Sequence, residues 1–322
     1  MAGAGDGHES AGAILAAFLA NMGIAATKFV GFLITGSSSL LAESIHSVAD
    51  SSNQGLLFLG GRQARREPTP LHQFGYGRVR FFWAFVVAVV LFTLGGLFSA
   101  YEGYHKIADP HDIDSSAVAI AILVLALVFE AFALRTAARH ARPLRGRRSW
   151  ARYIRESRSP ELPVLLLEDS GALLGLVFAL IGVLLTLVTG DPVFDGIGTL
   201  AIGVLLVCIA VVLAIEMRSL LIGESADPEL QRRIDAELAA SPHVRAVLEL
   251  RTQHIGPEEI LVAAKVDFEP ELSTTQLVEA IDACEQRIRE LWAAGTLRIY
   301  IEPDVGIRQH VAVAEPRPGD RL

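Results

Sequence analysis

The chain has 322 residues, 52% of them hydrophobic and 20% charged, with a mean hydropathy of +0.42 and a formal net charge of −8. Soluble chains average roughly 45–50% apolar and about 25% charged, so a single soluble globular domain is excluded. Cys208 and Cys284 lie far apart with no C-x-x-C, which excludes a disulfide framework and a thiolate zinc knuckle.

The first ten residues have no basic stretch, and the apolar block behind them is too long for a cleaved signal peptide; residues 1–10 are expected to be a cytoplasmic tail. Six apolar blocks follow, at 11–35, 38–61, 79–101, 115–138, 161–189 and 192–217. A helix needs about 20 residues to cross a bilayer, and lipid forbids unpaired backbone, so each block is expected to be a helix or shielded by its neighbours. A tight turn at 36–39 joins the first two, and Gly190, Asp191 and Pro192 break the fifth from the sixth. Five arginines lie in 62–80 and nine in 135–158, whereas the connections 35–37, 102–114 and 190–191 hold Lys106 as their only Lys or Arg. The positive-inside rule makes both Arg-rich loops cytoplasmic, and both termini with them, in what is expected to be a bacterial inner (plasma) membrane. The arginine run suits acidic headgroups, but topology explains it first, and no nucleic-acid partner is expected.

Beyond residue 217 the texture is that of a soluble domain, over 218–305. Residues 227–240 read as an amphipathic helix opening with Asp-Pro. Val244, Ala246, Leu248 and Leu250 alternate with polar residues as a half-buried strand, and 260–268 form a second strand after a turn at Gly256 and Pro257. Leu277, Ile281, Cys284, Ile288 and Leu291 make the stripe of a second helix, and Leu297, Ile299 and Ile301 a third strand. The order αββαβ predicts a small α+β domain with helices on one sheet face. The tail 306–322, rich in Pro, Gly and charge, is expected to be disordered.

Ionisable groups inside spans cost at least ~2.5–3.5 kcal/mol near the bilayer centre, so each needs a reason. In the second span Glu43, His46 and Asp50 are three and four residues apart and share a helix face. In the fifth, Glu168 and Asp169 sit among leucines. An imidazole and carboxylates converging from two helices can hold a divalent ion such as zinc. The alternative is that these groups only pair with one another or cap a helix end. The helical spacing of His46 and Asp50, the acidic pair on another span and the absence of an intramembrane Arg favour the metal.

The run 38–50, S-S-L-L-A-E-S-I-H-S-V-A-D, resembles the second-helix signature of cation diffusion facilitators, divalent-metal/proton antiporters. Phe74, Gly75, Tyr76, Gly77 and Arg78 resemble the loop before that family's third helix, and the resemblance covers roughly 11–305. Leu166, Leu167, Glu168 and Asp169 are similar to the L-L-E-D of a divergent zinc-transporter branch, as are Leu220, Leu221, Ile222 and Gly223 to its segment after the sixth span. The resemblance implies an α-helical membrane protein with six transmembrane helices over 11–217 and a cytoplasmic ferredoxin-like αββαβ domain. It implies a proton-coupled efflux transporter and not an enzyme, with Zn2+, or Mn2+, Co2+ or Fe2+, and protons as substrates and no permanently bound cofactor. It also implies a homodimer.

Leu165 stands where zinc members of the family carry His or Asp four residues before Asp169. The fourth ligand is then Glu168, Glu43, Glu130 on the fourth span, or water. Adjacent residues on a helix point about 100° apart, so Asp169, at the motif position, ranks above Glu168. In the tail, where relatives often bind regulatory zinc, Leu248, Ala264, Glu302 and Asp304 point to a metal-free domain, with His243 and His254 nearby but lacking a partner set. His105 and His111 read as solvated residues of an external loop. Metal binding requires neutral His46 and ionised carboxylates, and an unperturbed His titrates near ~6.5, which gives proton exchange a physical basis. The competing reading is a non-transporting membrane metal sensor or scaffold. An intramembrane metalloprotease is disfavoured because H-E-x-x-H is absent and no Ser, Cys or Lys has a base partner.

Overall fold

The computed structural model describes residues 22–293 and 295–304. The expected tails at 1–10 and 306–322, and the beginning of the first span, lie outside the described residues. The chain divides between Gly223 and Glu224 into two compact units.

The first unit is helical: α1 Met22–Thr35, α2 Ser38–Ala64, α3 Val79–Ala108, α4 Ser116–Arg145, α5 Glu161–Thr189 and α6 Val193–Ile222. A two-turn helix at Trp150–Glu156 lies in the Arg-rich connection. Among the described residues, four helices (α3 to α6) are long and apolar enough to cross a membrane. α2 is also long, but Glu43, His46, Asp50 and a run of serines take the place of leucine on it. Gly36, at φ +65, turns α1 into α2, and Gly190, at φ +73, closes α5, both in the left-handed region that glycine adopts without steric cost. α3, α4 and α6 outrun the expected ends at 101, 138 and 217. Those ends marked where apolar side chains stop, whereas the helix continues while its backbone stays paired, and Arg and Lys are good helix formers. Lys106, expected in a loop, is therefore inside α3.

The helices pack through small residues. A Cβ on Gly103 would collide with the backbone of Leu200, and one on Gly203 with the backbone of Ala100, which brings α3 and α6 together. Gly182 and Gly198 do the same for α5 and α6, each facing backbone of the other helix. Close backbone approach of this kind holds helices together where lipid offers no hydrophobic driving force. Leu91, Leu123, Leu176, Ile202 and Leu206 fill the interior, while Phe82, Leu94, Phe129, Phe132 and Leu174 face outward. The middle of α3, Leu91–Leu97, is π-helical.

The second unit runs α7 Pro228–Ala239, β1 Val244–Gly256, β2 Glu259–Phe268, α8 Thr274–Glu290 and β3 Thr296–Asp304. The sheet order is β1-β2-β3, with β1 antiparallel to β2 and β3 parallel to it. A parallel neighbour requires a crossover, and α8 supplies it, opened by a reciprocal capping box between Ser273 and Gln276. Ile260, Val262, Ala264, Val266 and Phe268 alternate inward and bury against Ile234, Leu238, Cys284 and Ile288. β1 does not keep the simple alternation expected of it. Register shifts between Val244 and Ala246 and between Val247 and Glu249 put Val244, Val247 and Leu250 on the core, and leave Leu248 43% exposed. An extra residue in one strand swaps the face of every residue beyond it.

Gly203→Val should lower the midpoint of thermal unfolding of the detergent-solubilised protein. Overpacking typically costs about 1–3 kcal/mol, and here the obstacle is backbone that cannot move aside. An unchanged unfolding curve would contradict the α3–α6 approach.

Candidate functional site

One end of the helical unit gathers the start of α2, the end of α3 and the start of α6. Asp195, buried at the start of α6, accepts from the Ser38 backbone N–H at 2.9 Å, the Ser37 hydroxyl at 3.0 Å and the Ser39 hydroxyl at 2.6 Å. Its own N–H donates to Thr186 Oγ1 at 3.1 Å. A carboxylate at a helix N-terminus satisfies donors the helix cannot pair and opposes the helix dipole. Lys106 Nζ reaches the carbonyls of His111 at 2.5 Å and Gly36 at 3.5 Å, so this cation closes carbonyl groups at the same end. At the opposite end Arg80 at the start of α3 pairs with Glu161 at the start of α5. Trp83 Nε1 there donates to Gln63 Oε1 at 3.0 Å.

Between these ends runs the polar face of α2. Glu43, His46, Asp50 and Asn53 follow one another at spacings of three, four and three residues, covering about 15 Å of helix. The chain brings Glu43, His46, Asp50, Glu130, Glu168 and Asp169 into one electrostatic neighbourhood. They are nevertheless arranged as pairs. Glu43 is ion-paired to Lys28 of α1, with Nζ to Oε2 at 3.0 Å, and Lys28 also donates to Ser47 Oγ at 2.8 Å. Glu130 Oε1 on α4 stands 4.0 Å from the same ammonium. Asn53 Nδ2 donates to Glu168 Oε1 at 2.6 Å, tying α2 to α5. His46 Nε2 is 3.5 Å from Asp50 Oδ2. Among the described residues, no group of three His, Cys, Asp or Glu side chains is assembled as a metal cage.

Several of the unsatisfied atoms lie along the same face. Glu43 Oε1, both ring nitrogens of His46, Asp50 Oδ1 and Asn53 Oδ1 are buried without a hydrogen-bond partner. An unmade hydrogen bond at a buried polar atom costs about 1–3 kcal/mol, so a row of them within one unit calls for an explanation, such as ordered water or an ion. His46 is 1% exposed and Glu168 2% exposed, whereas Asp50, Glu130 and Asp169 are half-buried. The π-helical turn of α3 lies beside the imidazole, where a Cβ on Gly95 would stand 3.6 Å from His46 Nδ1. π-helical turns of this kind are frequent at functional sites.

Spacing and motif do not single out Lys28, Asn53 and Asp195. Lys28 and Asp195 carried a readable signal, since a lone Lys in the first apolar block and an acid opening the sixth fall under the same intramembrane-charge rule that picked out His46; Asn53, uncharged, did not. In the second unit, His243, at φ +65, binds Glu269 Oε2 through Nδ1 at 2.7 Å, and His254 is buried with Nδ1 3.3 Å from the Gly256 carbonyl. His111 Nδ1 is 3.3 Å from the Asp109 carbonyl and exposed.

Asn53→Ala should destabilise the protein by about 1–3 kcal/mol, because the Glu168 carboxylate is left buried without its donor. Asn53→Ala combined with Glu168→Gln should recover part of that loss in thermal unfolding, and full additivity of the two single effects would count against their coupling.

The family model for the cation efflux transmembrane domain matches residues 14–222. The human mitochondrial proton-coupled zinc antiporter SLC30A9 is 34% identical over 268 residues, covering 82% of this chain and 47% of the relative. Metal tolerance protein C4 of Arabidopsis thaliana is 29% identical over 269 residues, covering 81% and 58%. The magnetosome protein MamB of Magnetospira sp. (strain QH-2) is 23% identical over 283 residues, covering 85% and 91%. The chain spans about half the length of the first two of these relatives.

Proposed function

The chain belongs to the cation efflux family, which makes it a membrane protein, and from that premise we propose that it exports a divalent metal ion, zinc first, in exchange for protons. The observation that carries the reading is the set of buried donor atoms without hydrogen bonds on His46 and Asp50 of α2, in the same electrostatic neighbourhood as Glu168 and Asp169 of α5. His46, Asp50 and Asp169 are proposed as ligands. Glu168 is ranked after Asp169 because Asn53 already holds it. The relatives named as proton-coupled zinc antiporters support both the cargo and the counter-ion.

In this reading α1 to α6 are six transmembrane spans, the Arg-rich connections are cytoplasmic, both termini lie on that side, and the membrane is the bacterial inner membrane. Transport then follows from ligand chemistry. A metal ion takes lone pairs from a neutral imidazole and ionised carboxylates, and protonating those same atoms releases it. Binding from the cytoplasm draws the paired groups of α2 and α5 around the ion. Protonation from the other side reverses this, so an acid-outside gradient drives export. The second unit is read as a ferredoxin-like domain that pairs with a second copy.

His46→Ala and Asp50→Ala should each abolish pH-driven zinc uptake into inverted vesicles while leaving expression intact, and Asp169→Asn should behave likewise. Wild-type flux in the His46 and Asp50 variants would eliminate this site. Zinc binding by reconstituted wild-type protein with no flux under any pH gradient would instead indicate a membrane metal sensor. Removing residues 227–322 should convert a solubilised dimer into a monomer, or weaken it, as read by light scattering. A full-length monomer at micromolar concentration would overturn the pairing role.

A further inference from the structure

We propose that Lys28 sets the metal preference of the site by holding Glu43 out of the ligand set. The inference rests on the reading of this face as a divalent-ion pathway and says which carboxylates serve it. Glu43 is one helical turn from His46 on the same face of α2, so by spacing alone it is the nearest additional oxygen ligand. Its carboxylate is instead tied to a cation through one oxygen, while the other, without a hydrogen bond, is closed in by packing. Oε2 is bound by the Lys28 ammonium at 3.0 Å. Oε1 fills space that only glycine leaves on α5, since a Cβ on Gly175 would come within 2.6 Å of it.

Lys28 itself is anchored twice, by Glu43 and by the Ser47 hydroxyl at 2.8 Å. Its residue is 1% exposed and its partner 0%, so neither charge has water to turn to. A buried ammonium beside a buried carboxylate is a tethered cation that occupies the carboxylate in place of a free one. What remains for a metal ion is a small mixed set, the His46 imidazole with Asp50 and Asp169. A tetrahedral site with a nitrogen donor suits zinc, while sites of six oxygens suit harder ions such as manganese. Freeing Glu43 adds oxygen and negative charge to the set and moves it toward manganese.

The test is calorimetric titration of the detergent-solubilised full chain with zinc and with manganese. Lys28→Met removes the ammonium at nearly constant length, and should shift the ratio of the two affinities toward manganese by about tenfold or more, within the range seen when outer-sphere partners are changed. A loss of positive charge alone would strengthen both ions together and leave the ratio in place. Lys28→Arg, which preserves the pair, should keep the wild-type ratio. The double variant Lys28→Met/Glu43→Gln removes both charges, leaves none unpaired, and should bind zinc as wild type does. It decides the question even where Lys28→Met alone does not fold. An unchanged ratio in Lys28→Met, or a tenfold loss of zinc affinity in the double variant, overturns the inference while leaving the ion pathway standing. Wild-type protein that binds neither ion overturns the pathway and the inference together.

Discussion

Moving an ammonium or a carboxylate out of water costs several kcal/mol even after a protein has relaxed around it, and Lys28 and Glu43 are both almost wholly without solvent. Neither side chain is tolerable without the other. Their pairing fixes the inner turn of α1 to the polar face of α2, and Glu130 of α4 lies at the edge of the same field. A helix carrying Glu43, His46 and Asp50 cannot present that face to lipid, so α1, α4 and α5 must be arranged around it. Gly175 shows how tightly α5 has come in, since its missing side chain is the space into which Glu43 fits.

The remaining helices supply the frame. α6 meets α3 through Gly103, Gly196 and Gly203, and meets α5 through Gly182 and Gly198. These contacts are backbone against backbone and leave little room for sliding. The polar helix is fastened to that frame at its first turn, where Asp195 of α6 caps Ser37, Ser38 and Ser39. Farther along α2 the cross-helix ties are single polar pairs, Lys28 with Glu43 and Asn53 with Glu168. The local widening of α3 at Leu91–Leu97 adjoins His46 at the same level. The unit thus combines a close-packed frame with a polar centre tied across helices by single pairs.

Much of this was legible in the residues themselves. Apolar blocks placed the helices, the glycine turns at 36 and 190 separated them, and the αββαβ order of the second unit followed from periodicity alone. Helix ends were less legible because apolar character and backbone pairing end at different residues, as Lys106 inside α3 shows. β1 was misread in its facing because a bulge depends on the partner strand, and no periodicity within Val244–Leu250 reveals it. At the candidate site, helical spacing linked Glu43, His46 and Asp50, and acids set among leucines marked Glu168 and Asp169. Neither found which of them are already engaged. Lys28 lies 15 residues before Glu43 and Asn53 lies 115 before Glu168, and pairings between helices are properties of the packing.

Those pairings divide the polar residues into two kinds. Glu43 and Glu168 are fully buried, and each gives an oxygen to a named partner, the ammonium of Lys28 or the amide of Asn53. Asp50 and Asp169 are half-buried, and His46 has no hydrogen bond at either nitrogen, its Nε2 standing 3.5 Å from Asp50 Oδ2. A carboxylate already held by an ammonium or an amide gains less from an ion than one with neither. The position four residues before Asp169, where Leu165 stands, adds no donor. With Glu43 and Glu168 engaged, the proposed site between α2 and α5 is left the imidazole of His46 and the carboxylates of Asp50 and Asp169. In that reading fewer acids serve the ion than the intramembrane count suggests, and Lys28 and Asn53 hold the others.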